Sequence, residues 1–382
     1  MLVKTFCAAV MGLEATTITI EVNMTRGVMF RLSGLADTAV KESYDRIRAA
    51  MDNIGFKPPT ADITINLSPA DIRKEGTGYD LPLAIGILAA HGKVDCESLG
   101  DYMMIGELGL DGNMKPISGA LPIAIRARAE KFKGLIVPLE NAREAAVVNN
   151  LEIYGMDSLS DVVSFFNGEK EKYQPTIVDT RKEFYEQQYA FDLDFAEVKG
   201  QESVKRALEV AAAGSHNVIL IGPPGSGKSM MAKRLPSILP PLSLAESLET
   251  TQIHSVAGKL PAGTSLISQR PFRSPHHTVS QVAMTGGGVK ATPGEVSMAH
   301  HGVLFLDELG EFSKATLEVL RQPLEDRKIT ISRAKYTIEY PCSFMFVAQQ
   351  TLAHVGTMAI QHIIVYVPQD RLQDISLSSA GR

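Results

Sequence analysis

Apolar and polar positions alternate with a period of two over Thr17 to Val22, with Ile18, Ile20 and Val22 on one face. They alternate again over Ala61 to Leu67, where Ile63, Ile65 and Leu67 share a face. Both stretches predict half-buried strands. Between them, Ala39, Tyr44, Ile47 and Met51 recur at helical spacing and predict a helix over Asp37–Asn53. Leu81 to His91 is apolar all round, which predicts a buried helix. Further strands are expected at Tyr102–Glu107, Leu135–Pro138 and Glu152–Tyr154, and helices at Ala120–Lys133 and Leu139–Asn149. The polar, charged stretch 168–194 interrupts this pattern and reads as a partly helical linker. A second α/β alternation begins near Phe195, so the expected layout is a first domain over 1–167, the linker, and a second domain from 195.

Composition narrows the classes. Of 382 residues, 45% are hydrophobic and 21% charged, a balance that excludes disordered and fibrous chains. The apolar run Leu81–Ala90 is too short to span a bilayer, so no membrane partner is expected. Lys4 and the apolar Phe6–Leu13 faintly resemble a signal peptide, but Glu14 follows at once and no cleavage site is evident. Cys7, Cys96 and Cys342 are too scattered for a disulfide framework or a metal site, and the expected home is the reducing cytoplasm. A net charge of −5 excludes a strongly basic nucleic-acid binder but leaves room for a local basic patch.

The strongest chemical signal is the run Gly222, Pro223, Pro224, Gly225, Ser226, Gly227, Lys228 and Ser229, which satisfies the P-loop pattern in full. Its context fits as well: Asn217–Ile221 reads as a short strand and Met230–Leu235 as the start of a helix. Glycines let backbone N–H groups curl round phosphates at a helix N-terminus. Lys228 would reach the β- and γ-phosphates, and Ser229 would bind Mg2+. The bland alternative is an ordinary glycine-rich turn. The second signal is the apolar Val303–Leu306 ending in Asp307 and Glu308. Such a strand is common alone; downstream of a P-loop it reads as a Walker B segment, with Asp307 on the metal and Glu308 polarising the attacking water. ATP and Mg2+ are the expected cofactors, with Lys228, Asp307 and Glu308 as the catalytic set.

A family resemblance follows from these and further motifs. Gly200-Gln201 and Ala207 precede the P-loop; Arg270-Pro-Phe-Arg-Ser-Pro-His276-His277, Gly286–Gly288, Pro293-Gly-Glu295 and Ala299-His300 follow it; Leu320–Glu325 and Ile331–Arg333 come after Walker B. In the first half, Gly34–Ser43, Asn66–Asp71 and Lys74–Gly76 agree as well. Over about residues 1–348 the chain resembles the magnesium-chelatase-like AAA+ ATPases of the YifB/ComM family. The resemblance implies a Lon-protease-like, S5-like α+β domain over 1–167, followed by an α/β P-loop AAA+ core over 195–348. Lon-type proteolysis needs a serine and a lysine. The matching stretches here read Gly76-Thr-Gly78-Tyr-Asp80 and Ser118-Gly119-Ala120-Leu121, so a non-proteolytic scaffold is expected. Thr77 is a substitute nucleophile only if a base stands beside it.

The resemblance further implies, for the protein when full length, a homo-oligomeric ring, expected to be a hexamer, driven by ATP and associated with DNA branch migration during natural transformation. Arg270, Arg273, His276 and His277 would lie in an insertion that contacts DNA phosphates or a neighbouring subunit. The alternative for the His pair is a buried, hydrogen-bonded role in shaping the loop. A protein-remodelling, chelatase-type motor is the competing function, and a protease or its regulator is a third, carried by fold analogy alone.

After Ala348 the chain departs from the family. Synonymous codons for Gln350–Ile360 also encode, one frame over, Asn-Pro-Cys-Pro-Cys-Gly-Tyr-Tyr-Gly-Asn, which looks like the family's next segment. Codons for Leu372–Arg382 permit Leu-Ser-Gly-Pro in the same frame. Residues 349–382 are therefore expected to be an out-of-frame tail. The second domain would then lack its sensor Asn and lid, and would bind nucleotide weakly and hydrolyse it poorly. Sequencing the gene across the Ala348 codon tests this, and an unbroken frame overturns it. Ile363–Val367, rich in β-branched residues, is expected to pair with a sheet edge.

Overall fold

The computed structural model describes residues 1–261, 263–288, 291–333, 336–351 and 364–366. Most of the expected 349–382 tail lies outside them. Two compact units emerge. The first comprises Met1–Thr180 with His254–Leu266, and the second Arg181–Ile253 with Ile267–Arg382.

The first unit is built on a seven-stranded mixed sheet. Its strands are β1 (Leu2–Met11), β2 (Glu14–Thr25), β3 (Phe30–Ser33), β4 (Asp62–Ser68), β5 (Tyr102–Met104), β6 (Gly134–Pro138) and β7 (Glu152–Met156), in the order β3-β4-β2-β1-β5-β6-β7. The period-two stretches fall on β2 and β4, with Ile18, Ile20, Val22, Ile63, Ile65 and Leu67 buried. The stretch that faintly resembles a signal peptide is a strand. β1 pairs antiparallel with β2 from Leu2 through Met11 and touches β5 at Phe6. Its apolar run is explained by a position inside the sheet, where both faces are covered.

Helices α1 (Ser43–Asn53), α2 (Asp80–Ala90), α3 (Ala120–Ala129) and α4 (Leu139–Ala145) accompany the sheet. The expected Asp37–Asn53 helix is interrupted: Thr38–Lys41 forms one turn, capped by the Asp37 carboxylate on Val40 N, and α1 begins after Glu42. Every residue of α2 is buried, as its uniform hydrophobicity predicts. Pro82 is tolerated in its first turn because the missing N–H has no intrahelical partner there. Gly86 lets α2 approach β2, since a Cβ there would stand 2.8 Å from Val22 Cγ2.

One charge is buried with that apolar helix. Asp80 opens α2 with its side chain 1% exposed, and Arg46 of α1 grips it through Nε to Oδ2 (2.8 Å) and Nη2 to Oδ1 (2.9 Å). Burial pushes the Asp80 carboxyl up, and Arg46 opposes that shift. Removing the guanidinium leaves an uncompensated buried carboxylate, so Arg46→Leu should destabilise the first unit by about 3–5 kcal/mol. Urea unfolding of the two chains measures this; a change under about 0.5 kcal/mol, the range of ordinary surface substitutions, would contradict it.

The second unit carries a five-stranded sheet: β8 (Val218–Gly222), β9 (Phe272–Arg273), β10 (Val303–Leu306), β11 (Met345–Thr351) and β12 (Ile364–Tyr366), in the order β9-β10-β11-β8-β12. The first four are mutually parallel, and β12 runs antiparallel against β8. Thus β11 continues three residues past Ala348, and part of the Ile363–Val367 stretch pairs with a strand edge. Helices α5 (Glu202–Gly214), α6 (Lys228–Arg234) and α7 (Leu244–Val256) belong to this half of the chain, and the last turn of α7 belongs to the first unit. The core gathers Leu208, Val218, Leu220, Met231, Phe305 and Val347. Within the polar stretch 168–194, Thr180–Gln187 is helical.

Candidate nucleotide site

The site is assembled at the C-terminal ends of β8, β10 and β11. β8 ends at Gly222, and the chain turns through the loop into α6, which starts at Lys228. Gly225 and Gly227 have φ of +75° and +88°, the left-handed region that glycine enters without a Cβ penalty. Lys228 is buried, 4% exposed, and its ammonium donates to Gly222 O (3.0 Å) and Pro223 O (2.8 Å). Burial pushes its pKa down, while the Asp307 charge opposes that shift. Ser226 Oγ donates to Pro223 O at 2.8 Å and closes the loop on itself. Gln201, before α5, braces it from outside through Nε2 to Ser226 O (3.0 Å).

β10 is buried along its whole length, as a strand covered on both faces must be. It delivers Asp307, then Glu308. Glu308 sits at φ +53°, ψ +62°, a left-handed conformation that costs an ordinary residue about 1–2 kcal/mol. The turn that holds it is closed by Glu311 N donating to Glu308 O at 2.8 Å.

Sheet order decides what stands between the two motifs. β11 lies between β8 and β10, with Gln349 opposite Leu220 and Ala348 opposite Leu306. Gln349 is therefore level with Asp307 and beside the start of α6. Ser229 Oγ donates to Gln349 Oε1 at 3.0 Å, and Gln349 Nε2 donates to Asp307 Oδ1. One carboxamide thus joins the two expected metal ligands. The next residue, Gln350, accepts Gly310 N at 2.9 Å just after Walker B. Both glutamines lie in the stretch expected to be an out-of-frame tail. No motif marks them, and only the strand order could have found them.

A hydroxyl and a carboxylate are hard oxygen donors, the set that suits Mg2+. Their linkage through Gln349 puts them within one side chain of each other. The residues present therefore fit the ion: Ser229 and Asp307 would hold it, and bound there it would neutralise charge on the phosphate oxygens.

The insertion residues fare differently. Arg270 is not available to a phosphate: its guanidinium donates to His301 O (2.7 Å), Pro241 O (3.4 Å) and Pro240 O, with Glu246 at 3.6 Å. These bonds hold the side chain against the chain, where it is only 15% exposed. Arg273 forms a two-pronged pair with Glu295 at 2.7 and 2.8 Å. The His276 and His277 rings lie 4.0 Å apart, tilted by 35°, and the first is exposed rather than buried, with Nδ1 2.9 Å from Thr278 Oγ1.

Another cluster escaped the sequence reading: Glu249, His300 and His301 bring their ligand atoms within 4.8 Å of one another. It is not built for a metal at His300. Ser343 N donates to His300 Nδ1 at 2.9 Å, which leaves the ring proton on Nε2, facing Glu249 at 3.3 Å. Burial lowers this imidazole to about 4, so it stays neutral. In the first unit, Thr77 proves to have a carboxylate beside it, since its hydroxyl donates to Glu107 Oε2. The stretch Gly76–Asp80 holds no serine and Ser118–Leu121 no lysine, so the pair lacks the Lon-type machinery.

Among the described residues, no helix is long and apolar enough to cross a membrane. Two family models match the chain: "Magnesium chelatase, subunit ChlI" over residues 194–374 and "Subunit ChlI of Mg-chelatase" over residues 20–141. Competence protein ComM of Haemophilus influenzae is 42% identical over 352 residues, which cover 92% of this chain and 69% of that protein. YifB of Salmonella typhimurium is 42% identical over 351 residues, 91% of this chain and 67% of that protein. Lon protease 2 of Bacillus subtilis is 33% identical over 159 residues, 38% of this chain and 27% of its own length. With the P-loop and Walker B strand assembled on either side of β11 and this likeness running through both units, the chain belongs to the YifB/ComM family of magnesium-chelatase-like AAA+ proteins.

Proposed function

We propose that this protein is an ATP-driven motor that works as a homo-oligomeric ring, expected to be hexameric, on DNA. The observation that carries the motor reading is the convergence of Lys228, Ser229 and Asp307 at one end of the β8–β11–β10 sheet. Those are the parts that phosphoryl transfer from a Mg2+-bound nucleotide requires. Residues 1–167 act in this reading as a Lon-like scaffold without proteolytic chemistry, and residues 195–348 as the ATPase core.

Lys228 neutralises the β- and γ-phosphates, and the loop amides cradle them. Asp307 and Ser229 would hold the ion, and Glu308 would take the proton of the attacking water. The DNA reading rests on the likeness to a protein named for competence. With Arg270 and Arg273 engaged internally, His276 is the exposed member of the insertion set.

Binding of duplex and branched DNA at several salt concentrations tests the substrate. Backbone contacts release counterions, so with six or more phosphate contacts affinity should fall by about 1,000-fold or more between 50 and 200 mM salt. ATP turnover that DNA leaves unchanged, with no salt-dependent binding, would favour the protein-remodelling motor instead.

A further inference from the structure

The first unit contains a cavity of about 290 Å3, apart from the nucleotide site, lined by residues of the segment 116–118, of helix α4 and of the stretch 255–264. Its volume lies just below the roughly 300–1,000 Å3 of drug-sized sites, so it suits a small group. Pro116, Ile117, Leu260 and Pro261 give it apolar walls. Glu140 and Glu144, four residues apart on one face of α4, both line it, as does the Ser118 hydroxyl.

Glu144 is the unusual group. It is 6% exposed, and every partner of its carboxylate is neutral. Oε1 accepts Leu121 N at 2.9 Å and the Ser255 hydroxyl; Oε2 accepts only Asn141 Nδ2, at 3.3 Å. A carboxylate offers about four acceptor positions, and one on Oε2 is left over. Asn141 cannot turn to serve it better, because it already clamps both Ile117 N and Ile117 O at 2.9 Å. Arg143, the cation of that helix, donates to Gly263 O at 2.9 Å. Buried carboxylates are ordinarily matched by a cation. Among the described residues no cation is seen to pair with Glu144, and Glu144 lines the cavity.

We infer that this cavity binds a primary alkylammonium group, the aliphatic stem against Ile117 and Leu260 and the ammonium on Glu144 and Glu140. An ammonium brings three donors and a short apolar stem, which match the open carboxylate oxygens and the apolar walls. The chemistry is shared by a free alkyl amine and by a lysine side chain of a polypeptide. The assignment does not depend on the nucleotide site.

The test is calorimetric titration of the full chain with n-pentylamine, with n-pentanol as the uncharged isostere, and with Nα-acetyl-lysine-N-methylamide. The amine should bind and the alcohol should not, and Glu144→Gln should weaken the amine at least tenfold while circular dichroism stays unchanged. A lysine derivative that binds tenfold more tightly than pentylamine identifies a polypeptide source; the reverse order identifies a free amine. Equal binding of amine and alcohol, amine binding unchanged in Glu144→Gln, or no amine binding at tens of millimolar would each overturn the assignment. If Glu144→Gln does not fold, the comparison of amine with alcohol on the unaltered chain decides alone.

Discussion

Replacing Lys228 with alanine should weaken ATP binding about 100-fold or more relative to the unaltered chain. One positioned charge facing phosphate oxygens in a partly desolvated site contributes on that scale. The side chain is buried in the loop it serves, bonded to the Gly222 and Pro223 carbonyls. The fold should survive. Lys228 opens α6, where a positive charge opposes the helix dipole, and burial already disfavours its charged form. The loss of two hydrogen bonds to carbonyls is therefore partly offset. A fluorescent ATP analogue titrated with and without Mg2+ measures the effect. Affinity within about threefold of the unaltered chain would sink the nucleotide-site reading.

Glu308→Gln should separate binding from chemistry. The amide keeps the size and the left-handed backbone of Glu308 but cannot accept the proton of water. Phosphate release should fall about 100- to 10,000-fold, the usual contribution of a positioned general base. ATP affinity should change little, because Asp307 and Ser229, not Glu308, hold the metal in this reading. Glu308→Gly supplies the counterpart. Glycine adopts φ +53° freely, so that variant should be equally slow yet more stable by about 1 kcal/mol. The two variants distinguish the chemistry of the carboxylate from the strain of its backbone. Turnover in Glu308→Gln equal to that of the unaltered chain would show that the carboxylate has no part in hydrolysis.

Much of the first unit was legible from residue order. Period-two stretches at Ile18–Val22 and Ile63–Leu67 became β2 and β4, and the uniformly apolar Leu81–Ala90 became a buried helix. These elements advertise themselves because a strand buried on one face must alternate, while a helix buried all round cannot. β1 did not, because a short apolar run looks alike in a strand, a helix or a leader, and its pairing with β2 and β5 is what resolves it. The break between Lys41 and Ser43 was equally silent, since both flanking pieces keep helical spacing.

The nucleotide site divides along the same line. Lys228, Ser229, Asp307 and Glu308 could be named from sequence because each lies within a contiguous motif whose backbone geometry is local. Gly225 and Gly227 adopt the left-handed conformations that such a loop demands. The fates of Arg270 and Gln349 could not be named. An arginine in a basic, His-rich run reads as a phosphate contact until the carbonyls of Pro240, Pro241 and His301 are brought round it by distant chain segments. Gln349 reads as the start of an unrelated tail until the strand order sets it between Ser229 and Asp307.

The sequence by itself determined the family, the P-loop and Walker B residues, and the absence of the serine and lysine of Lon-type proteolysis, because these are properties of short stretches. Tertiary structure alone decided which charges are engaged, that Glu144 is buried without a cation among the described residues, and that one carboxamide joins two expected metal ligands far apart in the chain. Those are matters of desolvation and of pairing between distant segments, and neither leaves a periodic trace along the chain.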